Sequence, residues 1–231
     1  MAALIAFVLS IGAAWAGPAE DVLTAADSNL PTAMREEAYK RLTDPGSTTT
    51  VSKLIDDKDT SSSQRWVLIR SLGDNPSGEA RDLLVKLLSS SDALVRIAVV
   101  QAMADRKDPS LTGRVAARLE DPAMLVRSAA AEALGRMKDP TALADLGRAL
   151  ADPTNSYKGT SLWVRRKIVD AMGLIGGDES VRYLARALDD SDPEVVKSAM
   201  RGLEGVAGFS FHEGHTEAQE LEAWKRWAAS R

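Results

Sequence analysis

Along Asp121–Ala151, apolar residues recur in two runs, each with the three-and-four spacing of an amphipathic helix. Val126, Ala129, Ala130, Ala133 and Leu134 mark the first run, helix A; Leu143, Leu146 and Leu150 mark the second, helix B. Asp139-Pro140 separates them, because proline lacks an N–H and restrains the residue before it, and Thr141 can cap the new helix. A pair this small cannot cover both apolar stripes, so the pattern predicts further copies stacked beside it.

The copies are found by phase. With Leu134 as anchor, the equivalent positions are Leu42, Leu72, Met103, Leu134, Met172 and Leu203, at steps of 30, 31, 31, 38 and 31 residues. Seven residues before the anchors stand Arg35, Arg65, Arg96, Arg127 and Arg165; the last unit has Val196 there, with Lys197 beside it. A long cation at one phase in five units is expected to pair with the Asp near its unit's start, or with carbonyls between repeats.

The units vary around this frame. Residues 17–30 are polar and read as a lead-in that is helical only in part, and residues 31–231 as about six helix pairs. The run Lys58–Ser63 reads as a loop, Trp66 as a cover for the seam below it, and Gly176-Gly177 as a helix stop. The long step comes from Pro153–Ser161, whose Gly, Asn, Ser and Thr lack a helical period and predict an edge loop carrying Tyr157 and Lys158. Gly205–Phe211 interrupts the last unit, and Leu221, Trp224 and Trp227 form a stripe suited to capping the final layer.

The unit DPxxxVRxxAAxALGxxxDPxAxxxLxxAL resembles the HEAT-like repeat family, in the short form also found in phycobilisome lyases. The likeness covers Pro31–Arg231, and the Val-Arg pair stands as Val95-Arg96, Val126-Arg127 and Val164-Arg165. It weakens to Met34-Arg35 and Gln64-Arg65, and is lost at Val195-Val196. The resemblance implies an all-α fold, a right-handed α-α superhelix of HEAT/armadillo type whose B helices line a concave face, and most often protein binding. It also keeps open an enzyme, including a bilin-lyase-like protein, since fold alone does not assign activity.

Composition then narrows the classes. A formal net charge of −4 argues against a dedicated nucleic-acid binder, and zero cysteines exclude disulfides, thiolate chemistry and thiolate metal sites. The chain opens with the uncharged, mainly apolar run Ala2–Ala16, ending Ala14-Trp15-Ala16 before Gly17, which predicts a signal peptide over 1–16 and a periplasmic or secreted product. At that length the run is short for a span of about 20 residues, so no stable membrane span is expected after cleavage.

Catalytic patterns are sparse: there is no glycine-rich phosphate loop, HExxH helix or nucleophile elbow. His212 and His215 are the only histidines; with Glu213 or Glu217 they could begin a metal site, but four rigid ligands, or three and water, are needed. No cofactor is expected. On the B helices Arg114, Arg118, Arg148, Arg182 and Arg186 alternate with apolar anchors, while Asp145 and Glu179 add the opposite charge. The reading is therefore an exported, noncatalytic scaffold that binds a protein or peptide through its concave face or through Tyr157 and Lys158. An anionic polymer is the alternative ligand.

Overall fold

A computed structural model describes residues 17–158 and 160–231. The Ala2–Ala16 segment, and with it the predicted signal peptide, lies outside the described residues. The fold is an all-α solenoid of stacked helix pairs, of HEAT/armadillo type. Its described residues fall into two compact units that divide after Ala102.

The first unit contains Pro18–Ala26 (α1), Thr32–Leu42 (α2), Thr48–Asp56 (α3), Ser62–Asp74 (α4), Gly78–Leu87 (α5) and most of Ala93–Asp105 (α6). Where the sequence predicts a partly helical lead-in, α1 is a complete helix with proline in its first turn, packed on α2 and α4 through Val22 and Ala25. Asp21, only 3% exposed, accepts from Arg41. The loop before α4 ends two residues earlier than expected, at Ser61, because Ser61 and Gln64 form a reciprocal capping box. Asn75 is fully buried and donates to the Asp44 carbonyl at 3.0 Å, so one interhelical turn fastens another.

The second unit holds the end of α6, then Thr112–Ala116 (α7), Met124–Met137 (α8), Leu143–Ala151 (α9), Trp163–Ile175 (α10), Gly177–Ala187 (α11), Pro193–Ala207 (α12) and Glu217–Ala229 (α13). The A helices α8, α10 and α12 pack in sequence, with Leu134, Met172 and Leu203 all fully buried. Close approach is built from glycine: a Cβ on Gly173 of α10 would lie 2.8 Å from Gly202 Cα of α12. The sixth unit is more helical than its sequence suggests, since α12 runs through Gly205 to Ala207 and stops only at Gly208, whose φ is 75°.

One local device recurs throughout. Asp44, Asp108, Asp121, Asp139, Asp152 and Asp192 each precede proline, and each carboxylate accepts the N–H two residues on. Proline sets φ for the first turn while the carboxylate satisfies an N–H that the new helix leaves unpaired, so the dipeptide stops one helix and starts another.

Candidate functional site

The arginine ladder has a structural task. Arg35, Arg65 and Arg165 donate through Nε to the carbonyls of Ala25, Ile55 and Leu150, in each case the penultimate residue of the preceding helix. Those carbonyls have no partner within their own helix, and a guanidinium placed there also faces the negative end of the helix dipole. Arg96 donates to the carbonyls of Ser90 and Ser91, and Arg127 to those of Asp121, Pro122 and Thr154. Backbone oxygens, with Asp190 in the case of Arg165, are thus the main acceptors.

Arg127 also fixes the insertion. Its Nε donates at 2.8 Å to Asn155 Oδ1, and Asn155 Nδ2 donates to the Ala149 carbonyl. Asn155 is 1% exposed, so the stretch is more than an edge loop: a 3-10 turn at Pro153–Asn155 leads into a hairpin of Ser156–Tyr157 (β1) and Thr160–Ser161 (β2). Lys158 takes φ 50° at the tip, with its ammonium 5.2 Å from the Tyr157 ring centroid. Tyr157 is 63% exposed rather than folded onto the loop.

On the B-helix side of the second unit, a cavity of about 270 Å³ lies between α7 and α9. Gly113, Ala116, Ala117 and Ala149 line it with small side chains, and Glu120, Asp145, Arg148 and Asp152 supply its charge. Of the five candidate B-helix arginines only Arg148 lines this cavity, and it is ion-paired with Asp145. Arg114 and Arg182 are exposed outside the lining, and Arg118 reaches Asp121 at 4.0 Å. Arg186 lies over the Tyr183 ring, which itself covers Gly147; a Cβ there would meet Tyr183 Cε1 at 2.5 Å. Three carboxylates against one guanidinium make the cavity acidic, whereas the sequence suggests basic spots. Alternation of charge along a helix does not specify which charges converge.

The histidines do not assemble a metal centre. His212 Nδ1 lies 3.3 Å from Glu220 Oε2 and His215 Nδ1 lies 3.0 Å from the Glu213 carbonyl. Among the described residues no group of three His, Asp or Glu side chains could hold a metal ion. His212 and Glu220 instead border a cavity of about 520 Å³ with Lys197, Arg201, Glu204 and Glu217. Behind it Trp224 is fully buried against Phe209, Phe211 and Trp227, closing the last layer. No helix among the described residues is long and apolar enough to cross a membrane.

Two features escape sequence reasoning. Trp66 is half-buried and lines an apolar groove with Ile69, Leu94, Val95 and Ala98, rather than only covering a seam. Leu125 and Trp163, the residues before two of the Val-Arg pairs, are 54% and 41% exposed. Their common phase was the available signal.

A family model of HEAT repeats matches residues 48–121 and again 84–162. No curated protein matches the chain. Among solved structures, the chain is similar to human deoxyhypusine hydroxylase, at 17% identity over 83% of this chain and 96% of the other, with a TM-score of 0.36. A designed armadillo repeat protein shares 17% identity over 82% and 99%, with a TM-score of 0.44. The complex of CpcE and CpcF of phycocyanin lyase from Nostoc shares 17% over 93% and 95%, with a TM-score of 0.35.

Proposed function

We propose that this HEAT-like repeat chain is a noncatalytic scaffold that holds a protein or peptide against the B-helix face of its second unit, and that it acts after export. The cavity between α7 and α9 carries this reading, because it offers a small-residue floor and an acidic rim at a position where successive B helices lie side by side. A basic or hydrogen-bonding side chain of the partner suits that rim. The exposed guanidiniums of Arg114 and Arg182 then meet acidic groups on either side of it, so the favoured partner segment has mixed charge.

The test uses two glycines whose missing side chains face open space, so that a photo-crosslinking residue can be placed without repacking. At Gly113, beside the cavity, such a residue should give a discrete protein adduct in the native host. At Gly205, exposed on α12, it should not. Adducts from Gly205 alone, or from neither site, overturn the reading. Export is tested separately by intact mass, which should correspond to Gly17–Arg231; recovery of the full precursor as a stable cytoplasmic species overturns that part.

A further inference from the structure

The stretch between α12 and α13 covers the last layer, yet neither helix depends on it. The Gly208 N–H ends α12 by donating to the Glu204 carbonyl at 2.9 Å, and α13 starts from the reciprocal capping box of Thr216 and Gln219. Among the described residues no backbone hydrogen bond ties Phe209–Glu213 to either helix. Its one polar contact with α13 is His212 Nδ1 to Glu220 Oε2 at 3.3 Å, from an imidazole that is 83% exposed.

Aromatic contacts hold this stretch down. Phe209 stacks on Trp224 with ring centroids 5.7 Å apart, Phe211 meets the same indole nearly perpendicularly at 4.8 Å, and Phe209 also touches Trp227. The closed position carries a penalty as well as this gain. Trp224 is fully buried, and its Nε1–H meets no acceptor. A donor enclosed in this way has given up its hydrogen bond to water and gained nothing in exchange. Burial of the rings therefore favours closure, while the orphaned N–H favours admission of solvent.

The ends of the stretch are suited to movement. Gly208 and Gly214 bracket it, with φ of 75° and 76° in the left-handed region. Glycine passes between the two halves of φ space at little steric cost, so these positions can absorb a swing of the residues between them. We propose that Phe209–Glu213 is a strap that opens about Gly208 and Gly214 while α12 and α13 stay folded and docked, uncovering Trp224 and giving its N–H an acceptor. The strap does the work of a further repeat, covering the apolar end of the stack, and unlike a helix pair it can be lifted without loss of helical hydrogen bonds. It shares no residue with the lining of the α7–α9 cavity, so it is independent of the partner-binding reading.

Hydrogen exchange of the whole protein, followed by NMR, tests this at the atom concerned. The Trp224 Nε1–H, identified by its loss in Trp224→Phe, should show a protection factor at least a hundredfold below those of the Leu203 amide in α12 and the Ala223 amide in α13. Dilute urea should leave its exchange unchanged, since lifting a short strap exposes little surface. Indole protection equal to that of Leu203 means that the N–H is freed only by unfolding, and protection equal to that of Ala223 means that α13 leaves as a whole; either result overturns the proposal. Phe209→Leu with Phe211→Leu removes the ring contacts and should speed indole exchange at least tenfold, with the Leu203 amide unchanged. An unchanged indole rate in that variant also overturns it, and the comparison within the unmodified protein stands whether or not the double variant folds.

Discussion

Thr112 donates a 2.6 Å hydrogen bond to Asp139 Oδ2, joining the first residue of α7 to the Asp-Pro turn of the following repeat. Thr141 donates to the other oxygen of the same carboxylate, through both its N–H and its hydroxyl. A carboxylate so bound is stabilised in its ionised form, and Asp139 is held below the ordinary 3.8, chiefly by Thr112. Asp152 is lowered chiefly by the Thr154 N–H, and Asp192 chiefly by the Ser161 hydroxyl.

Because these pKa values are lower folded than unfolded, the carboxylates stabilise the fold above the ordinary 3.8 and lose that contribution as pH falls through their folded values. Urea midpoints should stay level from neutral to mildly acidic pH and fall below about pH 4. Thr112→Val should cost about 1–2 kcal/mol at neutral pH and lessen the acid-induced fall. A Thr112→Val loss of equal size at both ends of the pH range would sink this account.

Gly173→Ala should destabilise the second unit even though alanine is the better helix former by about 1 kcal/mol. The new Cβ meets backbone at Gly202, which cannot rotate away, and parting two packed helices costs about 1–3 kcal/mol. Gly205→Ala is the matched control, on a neighbouring helix with open space around it, and should stabilise by about 0.5–1 kcal/mol. Equal denaturation midpoints for the two variants would exclude a glycine-dependent crossing.

Lys138 ends α8 in the left-handed region at φ 54°, donating its N–H to the Leu134 carbonyl at 3.1 Å. That conformation costs a side-chain-bearing residue about 1–2 kcal/mol, part of which glycine gives back as unfolded-state entropy. Lys138→Gly should therefore raise stability by about 0.5–1 kcal/mol without changing helicity. Thermal melts of the two proteins decide it; a lower transition for the variant counts against it.

Arg127→Lys keeps the charge but loses the planar fork that serves Asn155 and three carbonyls at once. With Arg127 only 7% exposed, the unmatched groups stay buried, and the loss should be about 2–4 kcal/mol. Amide exchange should quicken at Leu162, whose N–H donates to the Asn155 carbonyl at 3.0 Å, before it changes in α12. Unchanged hairpin protection would mean that Arg127 does not hold the insertion.

Leu42, Leu72, Met103, Leu134, Met172 and Leu203 are fully buried, and their positions were legible because a stacked helix pair imposes one apolar period on every copy. Asp-Pro turns were legible for a related reason, being local chemistry repeated at a fixed phase. The acceptors of the ladder were not, since carbonyls leave no trace in side-chain identity. Asn155 looked like loop composition because its burial depends on Arg127, 28 residues away. At the candidate cavity, the residue types could be read but not their convergence: Arg114 and Arg148 sit at different helical phases, and only one reaches the lining.

Val196 stands where five earlier repeats have arginine, and its side chain has nothing to donate. Each of those arginines grips backbone behind its own helix, so an inner layer resists being drawn away until that grip opens. The α12–α13 layer is held by apolar packing and by surface ion pairs such as Arg201–Asp170, which add little. Under tension applied at Arg231, the molecule should give way at α12–α13 first, so that a pulling force is released at one end while the layers behind it remain intact.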